Sequence, residues 1–350
     1  MTDRKRTIKI VLIAAGVLIL ISGGIFLASN IEKFFAVTPD DAGKALSRTE
    51  IESAEQERSS VLETAKAVDT VTYNGNSYVY NEDLEVLLFI GIDDYEVTDY
   101  SDTGRSHSQA DLLLLAIFDN ETKTYTLLQI NRDTMTDTMA YDYFGNYKGL
   151  INQQIALSHT YRTGLEDSCE DTVFAVSNLL YNVDISNYFC LTMNSIPIIN
   201  DSVGGITVTI EDDFSLIDET LVMGETVTLH GVQAEHYVRG RRSVANDPTN
   251  INRMVRQRTY LSELLPALGA KTSGNSNFAI KLFDDLAPYM VTDCTVDELS
   301  DYIERFSGYT LDRIVTIEGE SVEGEKFMEF YVDEKALRAT VIDLFYKKTD

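Results

Sequence analysis

The sequence predicts a layered α/β/α domain on a central mixed sheet, preceded by a single N-terminal transmembrane helix. Three observations carry this. An uncharged stretch runs from Ile10 to Ala28 directly behind the basic residues Arg4, Lys5, Arg6 and Lys9. Short apolar runs end in polar residues: VLLFIGID (Val86–Asp93), DLLLLAIFD (Asp111–Asp119) and YTLLQINRDT (Tyr125–Thr134). Segments with helical spacing follow them, the alternation expected of a layered α/β domain.

The uncharged stretch, about 19 residues at 1.5 Å rise, covers roughly the 30 Å hydrocarbon core. Its basic flank places residues 1–9 in the cytoplasm and the rest of the chain outside, as a single-pass protein of the cell membrane. A cleaved signal peptide is the rival reading, but the run is longer than a usual h-region and no clear small-x-small cleavage site follows. Residues 29–69, rich in Glu, Lys, Ala and Ser, read as a polar stalk or linker. The globular domain then occupies 70–350. It opens on a hairpin whose Asn74-Gly75 pair favours a type I′ turn.

The apolar runs suit central strands covered on both faces. Helices are expected at Asn152–Arg162, Glu170–Tyr181, Asn252–Leu268, Asn277–Leu286, Val296–Phe306 and Glu334–Phe345. Further strands are expected at Tyr188–Met193 and Ile206–Ile210.

A formal charge of −27 over 350 residues repels nucleic acid, so phosphate-backbone binding is excluded as the main activity. The three cysteines, Cys169, Cys190 and Cys294, are too few for a disulfide scaffold and lack zinc-site spacing. In an oxidising compartment two of them can pair, Cys169 with Cys294 being the pair weighed, because each precedes a predicted helix. Dinucleotide and nucleoside-triphosphate cradles lack their glycines, and no GxSxG elbow occurs. The histidines His107, His159, His230 and His236 form no HExxH pattern and read as structural.

Open α/β sheets place ligands at strand ends, where Asp93 and Asp111 both fall. Such a pair can hold Mg²⁺, although aspartates also flank strands as turn formers. Arg132 and Asp133 follow another apolar run, a pattern that also suits a surface ion pair. The strongest signal is HYVRGRRSVANDPTNINRMVRQR, which gathers Arg239, Arg241, Arg242, Arg253, Arg256 and Arg258 in an acidic chain. Guanidinium forks match phosphate, so this density points to a multi-anionic ligand; neutralisation of nearby carboxylates is the plainer reading.

The ordered series LFIGIDD, SQADLLLLAIFD, LLQINRDTM, NDSVGGITVTI, LHGVQAEHYVRGRR and NRMVRQR, within Leu84–Leu268, resembles the LytR-CpsA-Psr family. The resemblance implies an extracytoplasmic, Mg²⁺-dependent phosphotransferase that moves a polyprenyl-pyrophosphate-linked glycan, such as teichoic acid or capsule, onto peptidoglycan. By position, Asp93 and Asp111 look like the family's acidic pair near the metal and pyrophosphate, with Arg132 as the arginine of its PRD motif. Arg239 and Arg241 match its RxR pair, while Arg253, Arg256 and Gln257 match its RxxRQ stretch.

The mechanism it implies has Mg²⁺ on Asp93 with Asp111 close by, arginines on the pyrophosphate, and the lipid tail between the sheet and a helix. Asp111 is the base toward an acceptor hydroxyl, and polyprenyl phosphate leaves. The chain departs from the family pattern at Gln109, where arginine is usual, at Asn250, where aspartate is usual, and at Asn131, the position of the PRD proline. Arg105 and Asp247 stand near enough in sequence to replace the missing charges. Two other readings fit the same residues: a non-catalytic polyprenyl-pyrophosphate or cell-wall binding protein with a regulatory role, and a lipid pyrophosphatase.

Overall fold

The computed structural model describes residues 53, 56–59, 61, 69–142, 144–240, 249–272, 276–306 and 308–349. The basic tail and the expected transmembrane segment lie outside the described residues. Among the described residues no helix is long and apolar enough to cross a membrane.

The domain begins with the hairpin β1 (Thr70–Tyr73) and β2 (Asn76–Tyr80). Asn74 and Gly75 both have positive φ, 50° and 77°, as the type I′ turn demands, and Tyr73 pairs with Asn76 across it. A central mixed sheet follows. Its strands are β3 (Leu84–Ile92), β4 (Ala110–Asp119), β5 (Thr124–Ile130), β8 (Asn187–Leu191), β11 (Met290–Thr292) and β12 (Thr310–Thr316), in the order β11-β8-β3-β4-β5-β12. Antiparallel pairing joins β3 to β4, β4 to β5 and β8 to β11, whereas β8 lies parallel to β3 and β12 parallel to β5. The carboxyl ends of β3, β5, β8 and β12 therefore share one edge.

Both faces of the sheet are covered, which explains why its strands read as continuous apolar runs. Along β4, Leu112, Leu114, Ala116 and Phe118 enter one core, and Leu113, Leu115 and Ile117 enter the other. On the first face lie α2 (Ser195–Ser202), α3 (Val232–Arg239), α4 (Ile251–Thr272), α5 (Ser276–Leu286) and α6 (Val296–Phe306), with the ribbon of β9 (Ile206–Thr209) and β10 (Thr226–Leu229). On the second lie α1 (Glu166–Leu179) and α7 (Glu334–Phe345). Asp333 caps α7, accepting from the N–H of Lys335 at 2.8 Å and of Ala336 at 2.9 Å. The last strand, β13 (Tyr346–Lys348), pairs with β2 and joins the two ends of the domain.

Two expectations are corrected. The helix over Asn152–Arg162 is instead the end of β7 (Tyr147–Gln154) followed by a short 3₁₀ turn, Ile155–Thr160. Pairing with β6 (Met135–Tyr141) supplies the backbone partners that a helix would have supplied internally. The run Tyr125–Thr134 behaves as its pattern suggests: the strand stops at Ile130, and in the polar residues that follow Asn131 turns the chain by accepting the Asp133 N–H on its side chain at 3.1 Å. Second, Cys169 does not approach Cys294, because Cys169 lies in the core behind α1 whereas Cys294 packs against the opposite face. All three cysteines are free.

One glycine of the quoted series is required by space. Gly205 has φ +92°, and a Cβ there would stand 2.6 Å from the Leu229 carbonyl. It lets β9 lie against β10. Residues within the supposed stalk are also less detached than composition suggests. Arg58 is buried on α1, donating to the Tyr141 hydroxyl at 2.9 Å and to Asp171 at 3.2 Å.

Candidate active site

The site forms at the shared edge of the sheet, where strand ends leave their backbone groups available. Asp93 follows β3. Its N–H donates to the Gln109 carbonyl at 3.1 Å, and its Oδ1 accepts the Gln109 N–H at 2.6 Å. Burial pushes the Asp93 carboxyl above its ordinary range, partly opposed by the Gln109 N–H and by the charges of Arg132 and Arg239. Part of its surface is still open to solvent.

Asp111 owes its direction to a bulge. Gly91 pairs with Leu112 and Ile92 with Ala110, so Asp111 is the extra residue on β4 and escapes the strict alternation between the two cores. It is buried, and each oxygen faces a guanidinium: Oδ1 that of Arg132, Oδ2 that of Arg253 at 3.4 Å. Arg132 stands just past β5. It also donates to the Gln109 side-chain carbonyl and lies 3.4 Å from the Asp133 carboxylate. Arg253, in the first turn of α4, donates to Asn250 at 2.6 Å.

Gln109, Asn131 and Asn250, the three departures noted above, all sit in this network. The Asn250 amide donates to Asn131 at 3.1 Å, while Gln109 holds both Asp93 and Arg132. Compared with the family pattern, a cation and a carboxylate are lost together, and neutral amides hold their places. Arg105 stacks over the Tyr161 ring at 5.3 Å, and Asp247 lies outside the described residues.

Arg239 ends α3. It pairs with Glu235 one turn back, donates to the Tyr95 hydroxyl at 2.7 Å and stands 5.6 Å from the centre of that ring. Tyr95 is 40% exposed, so it holds Arg239 at the rim. Sequence reading missed Tyr95, and its position two residues beyond Asp93 is the only signal that marks it. Arg241 lies outside the described residues.

Arg256 and Gln257 lie elsewhere. Arg256 donates to the carbonyls of Tyr237, at 3.1 Å, and Gly240, and pairs with Asp212. Gln257 accepts from Gln129 of β5 at 2.8 Å and donates to the Val238 carbonyl at 3.4 Å. They bind the carboxyl end of α3 to α4 and the sheet, which fixes where Arg239 emerges.

The donor set fits a hard divalent cation in part. Asp93 offers a carboxylate that is partly open, the kind of ligand with which Mg²⁺ combines water and phosphate oxygens. Asp111 does not fit the metal role expected of it, since both its oxygens are engaged by arginine. Beside the network a cleft of about 660 Å³ is lined by Ile251, Ile317, Glu318, Phe330 and Tyr331 among others. It adjoins the site through the Phe330 N–H, which donates to the Asp133 carbonyl at 2.8 Å.

Fold and site together define a mixed α/β protein with a buried carboxylate clamped between two arginines at a sheet edge. The chain belongs to the LytR_cpsA_psr family, whose model matches residues 45–342. It is 28% identical over 268 residues to the polyisoprenyl-teichoic acid–peptidoglycan teichoic acid transferase TagU of Bacillus licheniformis, covering 75% of this chain and 78% of the relative. The enzyme of the same name from Oceanobacillus iheyensis is 26% identical over 313 residues, covering 88% and 84%. The crystal structure of TagV from B. subtilis shares the fold, with a TM-score of 0.55 at 22% identity, over 75% of this chain and 96% of that one.

Proposed function

We propose that this protein transfers a polyprenyl-pyrophosphate-linked glycopolymer to peptidoglycan at the outer face of the cell membrane, releasing polyprenyl phosphate. One observation carries the reading: Asp93, Asp111, Arg132 and Arg253 form one connected network, with Arg239 at its rim. The relatives named for teichoic acid transfer support the same class of reaction.

Phosphoryl transfer of this kind depends mainly on positioning and on cancelling charge at the transferring oxygens. Arg132 and Arg253, aimed by Asp111, present guanidinium groups from two different elements, and Arg239 adds a third at the mouth. Asp111 is thus the orienting carboxylate rather than the base first expected. Asp93 would hold Mg²⁺, which when bound cancels further charge on the phosphoryl oxygens. A loose transition state keeps the acceptor's proton in place until late, when an oxygen of the departing polyprenyl phosphate would take it, so that Asp111, held by two arginines, is not required as the base. As the resemblance implies, the lipid tail would lie between the sheet and a helix, and the cleft beside Asp133 would take sugar residues.

Arg239→Ala and Arg132→Ala should each lower transfer from a short-chain polyprenyl-pyrophosphate sugar by about 100-fold or more in a purified assay. Circular dichroism should show the Arg239 variant folded as the parent is. Full transfer by the Arg239 variant would refute the assignment.

A further inference from the structure

Directly behind the active site, on the other core, three potential metal ligands meet with no assigned role. His159 lies in the 3₁₀ turn Ile155–Thr160, Cys169 in the first turns of α1 and Cys190 on β8, and all are buried. His159 Nε2 is 3.7 Å from the Cys169 sulfur and 3.8 Å from the Cys190 sulfur. The three ligand atoms lie within 4.8 Å of one another. On the far side of the ring, Nδ1 is 3.1 Å from the Ser108 carbonyl. That carbonyl can only accept, so Nδ1 carries the hydrogen and Nε2 turns its lone pair toward both sulfurs.

A lone pair takes one S–H donor, yet two sulfurs stand almost equally near it. A single cation would satisfy all three atoms. Ligands at about 2.3 Å (sulfur) and about 2.0 Å (nitrogen) from a metal stand roughly 3.5–3.8 Å apart at tetrahedral to trigonal angles, which matches the two separations above. A backbone carbonyl on the second nitrogen is the usual way a metal-binding imidazole is oriented. Two thiolates and an imidazole select soft d¹⁰ ions over Mg²⁺.

We propose that His159, Cys169 and Cys190 form a buried structural site for a thiophilic d¹⁰ cation, zinc(II) or copper(I). Binding replaces the two S–H protons: each thiol becomes a thiolate, two protons leave to solvent, and no electron is transferred. The ion joins β8, α1 and the 3₁₀ turn. Through the Ser108 carbonyl it also steadies the segment that carries Gln109, and so the hydrogen bonds to Asp93 and Arg132. Because the site is closed to solvent, the ion enters while the chain folds.

The test is the metal content of the full chain produced in zinc-supplemented medium and, separately, in copper-supplemented medium, after exhaustive dialysis. The expected result is about one ion per chain in one of the two, retained by Cys294→Ser and lost in Cys169→Ser and Cys190→Ser. Since the cysteine variants can fail to fold, X-ray absorption on the parent protein reads the same claim: two sulfurs and one nitrogen around the ion. A parent protein with no bound ion from either medium, or a Cys169–Cys190 disulfide in its mass spectrum under non-reducing conditions, overturns the proposal.

Discussion

At the residue scale, Asp111 shows how a strand can lend a side chain to chemistry. An aspartate inside DLLLLAIFD would point into an apolar core if the alternation held; the bulge removes it from the alternation and turns it toward Arg132 and Arg253. The same network explains how the chain tolerates Gln109 and Asn250. Gln109→Arg alone places a new cation beside Arg132, and Asn250→Asp alone adds a carboxylate beside Arg253. Both are linked through Asp111, so the double variant should be more stable than the sum of the single effects by about 1–2 kcal/mol, as measured by chemical denaturation. Additive effects would show that the two positions are independent.

At the element scale, the long apolar strands β3, β4 and β5 and the helices α4–α7 were legible because their patterns are strong and local. So was the opening hairpin, since Asn-Gly specifies its own turn. The β6–β7 hairpin was not legible: GLINQQ has no clean alternation, and its identity comes from pairing with β6. Of the site, the arginines stood out against an acidic chain, but sequence could not separate Arg253, which reaches Asp111, from Arg256, which holds the end of α3. Their i, i+3 spacing is equally compatible with both roles.

The docking of Arg58 on α1 was invisible for a similar reason, as its partners Tyr141 and Asp171 are remote in sequence. Burial dominates there, opposed by Arg162, Tyr141 and Arg58, and the Asp171 carboxyl is pushed up to about 6. The folded chain therefore holds this proton more tightly than the unfolded one. The group's stabilisation is full below about pH 4 and falls as pH rises toward 6, by on the order of 2 kcal/mol. Asp171→Asn should flatten that part of the stability–pH curve relative to the parent, and an unchanged curve would show that another group titrates there.

At the scale of the whole molecule, the mixed sheet brings the ends of β3 and β5 and the bulge of β4 to one edge, while α3 and α4 deliver arginines from the layer above. Positions spread from Asp93 to Arg253 thus become one electrostatic unit. That unit distinguishes transfer from mere binding or hydrolysis by its products. The most direct measurement is product analysis of a purified reaction containing Mg²⁺, a short-chain polyprenyl-pyrophosphate sugar and peptidoglycan fragments. Polyprenyl monophosphate and a phosphosugar covalently joined to the fragment should appear together, in equal amounts. Tight binding without turnover, or free sugar phosphate with no adduct, would contradict the assignment.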